Sequence, residues 1–379
     1  MSAIEPKNAV VKTSFVIVSV IVLGITLSAG LWPFSFHTRN DVLWRPQQGG
    51  LYFGSTGMAI SNGKFATTRT NAADGCSIEL WIEPAVTWDS STILSFYEPG
   101  IAPRVQVRQS GDDVVFTSYR AGEGTVVAQR NLFVDHALRK DERVLVTLTS
   151  IGERLNIYIN GVLKRSAGSR KMQASDFNGT LIVANAPKGN FSWRGTFRGL
   201  ALYDRALPAA EGNENYDLWQ KNRGRIGRKA AAPLALYLFD ERSGERLHNV
   251  GREGPDLEIP TTYFIFEPSF LVPFWKEYQP SWDYAKDLAI NVLGLVPIGC
   301  CLAALLAWIN GPRRSLLYAT LLGFCISLTI EILQAFIPTR SSGTTDLITN
   351  TSGAAMGAWL YLNEKSQACL KRLGLVRAD

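Results

Sequence analysis

Hydrophobic positions follow two regimes along this chain. Near its ends they run almost unbroken, and through its middle they alternate with polar residues. Thr13 to Phe36 and Leu288 to Pro312 carry no charge, and Ser315 to Ile337 carries one, Glu331. Apolar runs of this length predict membrane-spanning helices at 13–36, 288–309 and 315–337. A shorter one is expected at 347–362, which at about 1.5 Å per residue still crosses most of a bilayer. The middle reads as strands. Ile78–Glu83, Arg104–Arg108, Arg143–Thr149, Leu155–Ile159, Leu181–Val183, Gly199–Tyr203 and Leu234–Phe239 alternate or form short apolar runs. Gly111-Asp112, Asn160-Gly161, Asn178-Gly179 and Lys188-Gly189-Asn190 punctuate them as turns. No strong helical stretch is expected before about residue 209. The expected fold is multidomain: an all-β jelly-roll sandwich plus an α-helical transmembrane bundle of about four helices.

Charge orients the spans. Lys7 and Lys12 precede the first, Arg313 and Arg314 lie between the second pair, and Lys365, Lys371, Arg372 and Arg377 follow the last. The positive-inside rule places all three groups in the cytoplasm, and four spans satisfy this together. The expected order is a cytoplasmic N-terminus at 1–12, helix 1 at 13–36 and the β-domain at 45–257. A linker back to the membrane (258–286), helices 2–4 (287–362) and a cytoplasmic tail (363–379) follow. The β-domain and the Pro338–Thr345 loop are then extracytoplasmic. The first run could be a cleaved signal peptide ending near Ser28-Ala29-Gly30. Its length, and an interfacial belt of Trp32, Phe34 and Phe36, favour a retained helix. The Pro- and aromatic-rich stretch from Ile259 to Trp282 reads as re-entry to the membrane surface.

Composition removes several chemistries. The net charge of +6 is modest for 379 residues. The five cysteines form no disulfide framework or metal-type spacing, and the three histidines (His37, His136, His248) are scattered. No metal site, cofactor or nucleic-acid partner is expected. The basic run Lys221–Lys229 reads as a solvated connector, with anionic lipid or acidic polysaccharide as the alternative partner. Asn178-Gly179-Thr180 has the form of a glycosylation acceptor and also makes a good turn.

Polar residues in the apolar spans are the most informative group. Ionisable side chains there are costly and usually find partners. In the expected topology Asp287 and Asn291 lie one turn apart on span two. Glu331 and Gln334 lie near the outer end of span three, and Asp346 and Asn350 open span four. Arg340 sits in the loop above them. Three helices thus deliver polar groups to one depth. One reading is a pocket opening outward, which binds a lipid or other head group through Asp287, Asn291, Glu331, Gln334, Arg340, Asp346 and Asn350. The other is glue, with Glu331–Arg340 and Asn291–Asn350 as pairs that hold the helices together. If the group is catalytic, Glu331 and Asp346 are the acid/base candidates. Gly353 and Gly357 form a small-residue pattern for close helix packing. Gly294, Pro297 and Gly299 are expected to make span two irregular.

Two stretches resemble known families. Ser77–Pro84, Leu155–Gly161 and Trp193–Leu207 are similar to a laminin-G/concanavalin-A-like lectin domain over about 45–257. The C-terminal part resembles the VanZ-like family. The residues are Asp287–Gly299, Ser327–Gln334, Arg340 and Asp346–Gly357, with the pattern N..G..P.G, E..Q, R…D…N..G…G. The first resemblance implies a sandwich that can bind glycan. The second implies an integral protein of the bacterial cytoplasmic membrane, in a family named for a teicoplanin-resistance determinant.

The β-domain offers further candidates. Glu79 and Glu83 flank Trp81 where glucanases of this fold carry E-x-D-x-E, so the acid pattern is broken, and the glutamates read as sheet-edge positions. Trp88, Tyr97, Tyr119 and Trp193 are the aromatics expected to be exposed for sugar stacking. Trp81 and Tyr158 are expected to face the core or the second sheet. Three functions fit. The first is a non-enzymatic envelope protein that binds glycan or another envelope polymer, linked to glycopeptide resistance or surface polysaccharide. The second is a membrane enzyme or carrier for lipid-linked sugars, using Glu331, Arg340 and Asp346. The third is a scaffold in exopolysaccharide assembly. The oligomeric state is left open.

Overall fold

The computed structural model describes residues 5–67, 75–101, 103–121, 127–168, 171–189, 192–221, 232–278, 281–307, 309–364 and 366. The basic connector past Lys221 and nearly all of the C-terminal tail lie outside them. The chain divides into two compact units, His37–Glu267 and a second made of Met1–Phe36 with Pro268–Asp379.

The first unit is a sandwich of two antiparallel sheets. Its strands are β1 (Val42–Trp44), β2 (Leu51–Phe53), β3 (Ala59–Ser61), β4 (Cys76–Pro84), β5 (Ser90–Tyr97), β6 (Val105–Ser110), β7 (Asp113–Ala121) and β8 (Val127–Val134). They continue with β9 (Val144–Ile151), β10 (Arg154–Ile159), β11 (Val162–Gly168), β12 (Thr180–Val183), β13 (Gly195–Tyr203), β14 (Ala235–Tyr237), β15 (Arg246–Leu247) and β16 (Leu257–Glu258). One sheet runs β1-β2-β13-β4-β9-β10-β11, with β14 also paired to β13. The other runs β15-β16-β3-β12-β5-β6-β7-β8. Ile78, Leu80 and Ile82 of β4 and Val105 and Val107 of β6 point into the shared core, as period-two alternation requires. All seven strand runs expected from the sequence lie in or overlap strands. Asn178-Gly179 is not a hairpin: it links a 3-10 turn to β12, and the Asn178 Oδ1 accepts the Thr67 N–H at 2.7 Å.

The outer faces differ. That of the first sheet is roofed by the helix Ala209–Lys221, which buries Gly212, Asn215 and Trp219 in one stripe. Trp219 packs with Trp81, Leu145, Ala201, Tyr203, Leu207 and Leu236. On the second sheet, Tyr263–Phe266 cover Met58 and Ile182 and leave the β5–β7 side open.

The second unit is helical. Its helices are Glu5–Leu31, the short Phe274–Glu277, Trp282–Ala307, Pro312–Gln334 and Thr344–Leu362. In chain order the helices of the protein are α1 (Glu5–Leu31), α2 (Ala209–Lys221), α3 (Phe274–Glu277), α4 (Trp282–Ala307), α5 (Pro312–Gln334) and α6 (Thr344–Leu362). Among the described residues, Tyr284–Ala307 and Pro312–Gln334 are long and apolar enough to cross a membrane. Val16–Leu31 is a shorter apolar stretch. Pro297 lies inside α4, whose helical assignment continues past it to Ala307. Position Gly353 of α6 faces the Val292 carbonyl, and Gly357 faces the Val296 carbonyl and the Cys300 backbone nitrogen. A Cβ at either site would collide with α4 backbone, so these glycines let the two helices touch.

Candidate functional site

An open cleft of about 560 Å³ lies on the second sheet of the sandwich. Thr92, Gln106, Arg108 and Tyr119 come from three adjacent strands, and Lys188 and Glu267 come from flanking segments. Gln106 and Arg108 alternate with core Val105 and Val107, so they point out of the sheet. The Gln106 amide donates to Ser95 Oγ at 3.2 Å and accepts from the Tyr119 hydroxyl at 3.2 Å. That network fixes the Tyr119 ring at the cleft wall. Burial pushes the Tyr119 phenol above its ordinary value, against the nearby Arg108 charge, so it remains a neutral donor.

The other aromatics expected at the surface divide. Trp88 is exposed, with the Arg194 guanidinium 4.8 Å from its ring centre. Tyr97 packs on Phe266. Trp193 is a correction: it is fully buried, and its indole N–H donates to Gln109 Oε1 at 2.7 Å. Tight packing against Phe197 leaves it no sugar-facing surface.

Glu79 is a second correction. It is no edge glutamate, because α2 seals it completely. Its carboxyl accepts from the Tyr203 hydroxyl at 3.0 Å, from Asn215 Nδ2 at 3.1 Å and from Trp219 Nε1 at 3.4 Å. Burial pushes the carboxyl up to about 7, and those three donors oppose the shift. Glu83, on the same face, is bridged by Arg198 Nη2 at 2.8 Å. The Arg198 side chain is almost wholly buried at a register shift between Phe197 and Gly199, and it also donates to the Gln48 and Gly49 carbonyls. The carboxylates of the broken glucanase pattern are thus structural: one is sealed and the other is paired.

His136 is less isolated than its sequence position implies. Its Nδ1 lies 2.7 Å from Asp112 Oδ2, and its backbone N–H donates to Asp113 Oδ1 at 2.9 Å. The three side chains offer ligand atoms within 4.8 Å of one another. They lie at the surface, where an ion pair accounts for the arrangement.

In the helical unit the polar residues meet in pairs. Asn291 Nδ2 donates to Asp346 Oδ1 at 2.7 Å, joining α4 to α6. Asn350 Nδ2 donates to Ser327 Oγ at 3.1 Å, joining α6 to α5. The Glu331 carboxylate is buried; it accepts the Gly343 N–H at 2.8 Å and has Ser342 as a further partner. Gln334 Nε2 and Arg340 Nη2 both donate to the Gly30 carbonyl, at 2.7 and 3.2 Å. Neither of the pairs expected as glue, Glu331–Arg340 and Asn291–Asn350, forms. Glu331 takes the Gly343 N–H of the α5–α6 loop instead, and Asn291 takes Asp346. Asp346 lies in the field of Glu277, Asp287 and Arg340, so these groups share one electrostatic neighbourhood. Sequence reasoning missed Glu277, which accepts the Thr345 N–H at 3.0 Å and the Thr345 hydroxyl at 2.5 Å. It lies in an aromatic-rich segment with no helical period, and nothing in its spacing points to α6. Gln106 and Arg108 were also missed, although their alternation with Val105 and Val107 carries the signal.

Residues 237–366 match the VanZ/LLP1 family model, and residues 54–211 match the model of the concanavalin A-like lectin/glucanases superfamily. The chain therefore combines a VanZ-like region with a concanavalin A-like domain. No curated protein matches it. Among solved structures it is similar to a candidate carbohydrate binding protein from Bacteroides ovatus. The identity is 14%, with 60% of this chain and 62% of that one covered and a TM-score of 0.39. It is also similar to the receptor binding domain of a botulinum neurotoxin C/D mosaic serotype, at 17% identity, 52% and 49% coverage and a TM-score of 0.36. A third is the SAP-like pentraxin of Limulus polyphemus, at 14% identity, 58% and 95% coverage and a TM-score of 0.36. The match spans 62% and 49% of the first two structures.

Proposed function

We propose that this chain is an integral protein of the bacterial cytoplasmic membrane whose concanavalin A-like domain binds an envelope glycan outside the cell. The observation that carries this reading is the cleft on the open sheet. An aromatic ring (Tyr119), an amide (Gln106), a hydroxyl (Thr92) and a guanidinium (Arg108) converge on about 560 Å³. A sugar needs that mixture: a flat apolar surface for its C–H face, and donors and acceptors for its hydroxyls. The two apolar helices and the VanZ-like match support membrane insertion, with Arg313 and Arg314 on the cytoplasmic side. On this reading α1, α4, α5 and α6 all span the bilayer, and the β-domain then lies outside the cell.

The test is a binding screen of the full chain in lipid nanodiscs against peptidoglycan fragments, surface polysaccharides and simple glycans. At least one envelope glycan binds, and Tyr119→Ala weakens it about tenfold, equivalent to about 1.4 kcal/mol. Identical binding by wild type and Tyr119→Ala removes the cleft from the reading, and no glycan binding at all removes the reading. The polar residues of α4, α5 and α6 then serve as a site for the head group of a lipid or lipid-linked envelope intermediate. Deletion of the gene should change glycopeptide susceptibility or surface polysaccharide.

A buried ionisable residue, Glu331, favours a second reading, an enzyme or carrier that acts on lipid-linked sugars. Glu331→Gln, with folding and insertion intact, abolishes turnover or transport on that reading and leaves glycan binding unchanged on the first.

A further inference from the structure

Four helix ends lie at one level of the helical unit. The C-terminal end of α1 meets the C-terminal end of α5, because Gln334 donates to the Gly30 carbonyl. Asn291, early in α4, meets Asp346, in the first turn of α6, and α6 follows α5 after a short loop. The starts of α4 and α6 and the ends of α5 and α1 are therefore neighbours. Aromatic side chains gather at this level: Trp32 and Phe34 after α1, and Phe270, Phe274, Trp275, Tyr278 and Trp282 before or at the start of α4. All are exposed, Trp275 by 66% and Trp282 by 75%.

The segment Pro268–Tyr278 is not a loose lead-in to α4. Val272 forms a parallel bridge with Gly343. Its N–H donates to the Ser342 carbonyl at 3.0 Å, and its carbonyl accepts the Thr344 N–H at 2.9 Å. Leu271 N–H donates to Ser342 Oγ at 3.3 Å. Glu277 then holds the first turn of α6 through Thr345. The loop gripped in this way is the one whose Gly343 N–H and Ser342 cap the buried Glu331. One face of the segment is thus a set of hydrogen bonds to the α5–α6 loop, and the other is a row of exposed rings, with Phe274 against Trp275 and Tyr278 against Tyr284.

We propose that Pro268–Tyr278 is a lipid-interface clamp: its rings lie in the head-group zone of a bilayer while its backbone holds the α5–α6 loop closed over Glu331. The occupant of the aromatic face follows from chain continuity. Tyr284–Ala307 and Pro312–Gln334 are two apolar helices of the unit, and the clamp joins the start of one to the loop after the other. It therefore sits at the height where apolar helices leave the hydrocarbon. Trp and Tyr are favoured there because one end of each ring is apolar and the other carries a donor. The inference rests on the membrane-spanning reading above.

The test uses the full chain in phosphatidylcholine vesicles. Tryptophan quenching by lipids brominated near the head group is compared with quenching by lipids brominated near the chain ends. Wild type is compared with the double variant Trp275→Phe, Trp282→Phe. The component lost in the variant should be quenched mainly by the head-group-proximal bromine. A component quenched by aqueous iodide and not by either lipid overturns the proposal. A second variant, Phe274→Ser with Trp275→Ser, reads the coupling. Amide exchange at Gly343 and Thr345 should accelerate about threefold in vesicles, with mid-α4 exchange unchanged. Unchanged exchange at Gly343 and Thr345 overturns the clamp. Carbonate extraction separates the two levels. Release of wild type from vesicles sinks the membrane-spanning reading itself, whereas retention without head-group quenching sinks this inference alone.

Discussion

Replacing Glu79 by Gln should remove a pH dependence from the stability of the β-domain. The carboxyl is sealed beneath α2 and held by Tyr203, Asn215 and Trp219. Burial raises it from an ordinary 4.5 to about 7. In the unfolded chain the proton leaves near the ordinary value, whereas the folded domain retains it to about 7. Within that window the folded state binds more protons, so raising the pH destabilises it. The loss begins near the ordinary value and levels off above about 7. A shift of this size corresponds to about 3 kcal/mol. The Gln variant keeps the volume and an acceptor for Tyr203 and has nothing to ionise. Hydrogen exchange of peptides from β4 and β13, measured on both proteins between about pH 4 and pH 8, reads the local opening free energy. The wild-type value should fall relative to the variant across the window. Parallel curves would refute the reasoning, since they mean that Glu79 ionises alike in both states and is not sealed.

Gly357→Leu should separate α4 from α6, because the added side chain meets the Val296 carbonyl and the Cys300 nitrogen rather than a movable side chain. A loss of about 1–3 kcal/mol is expected for such overpacking, read as a lower thermal midpoint in detergent. Arg198→Ala should cost about 3 kcal/mol in denaturant unfolding, since it strips Glu83 of a buried partner and frees the Gln48 and Gly49 carbonyls. In NMR titration, His136 should titrate above its ordinary value and Asp112 below, each because of hydrogen bonding to the other. The contribution of His136 is present below its unfolded value and lost as pH rises through its folded one. That of Asp112 is present above its unfolded value and lost as pH falls through its folded one. Asp112→Asn should return His136 toward the ordinary range.

The membrane residues show where pattern reading stops. Helical spacing placed Asn291, Glu331, Gln334, Asp346 and Asn350 near one end of their helices, and their contacts with neighbouring helices occur there. It did not give the partners. Glu331 pairs with a loop N–H because the α5–α6 loop folds back over the end of α5, and Asp346 pairs with Asn291 because α6 packs on α4; periodicity encodes neither. Glu277 was out of reach for the same reason.

The sequence by itself determined the separation of apolar helices from an alternating β-domain, most strand positions and the two family resemblances. The first two depend on local periodicity, which the backbone geometry of helix and strand imposes, and the resemblances rest on residue motifs contiguous in sequence. Only the tertiary structure decided that Glu79 is sealed while Gln106, Arg108 and Tyr119 line an open cleft. Alternation gives a strand two faces but does not say which face a helix such as α2 will cover. That choice is made by long-range packing: Trp219, some 140 residues after Glu79, closes over one sheet, while the other keeps part of its outer face free.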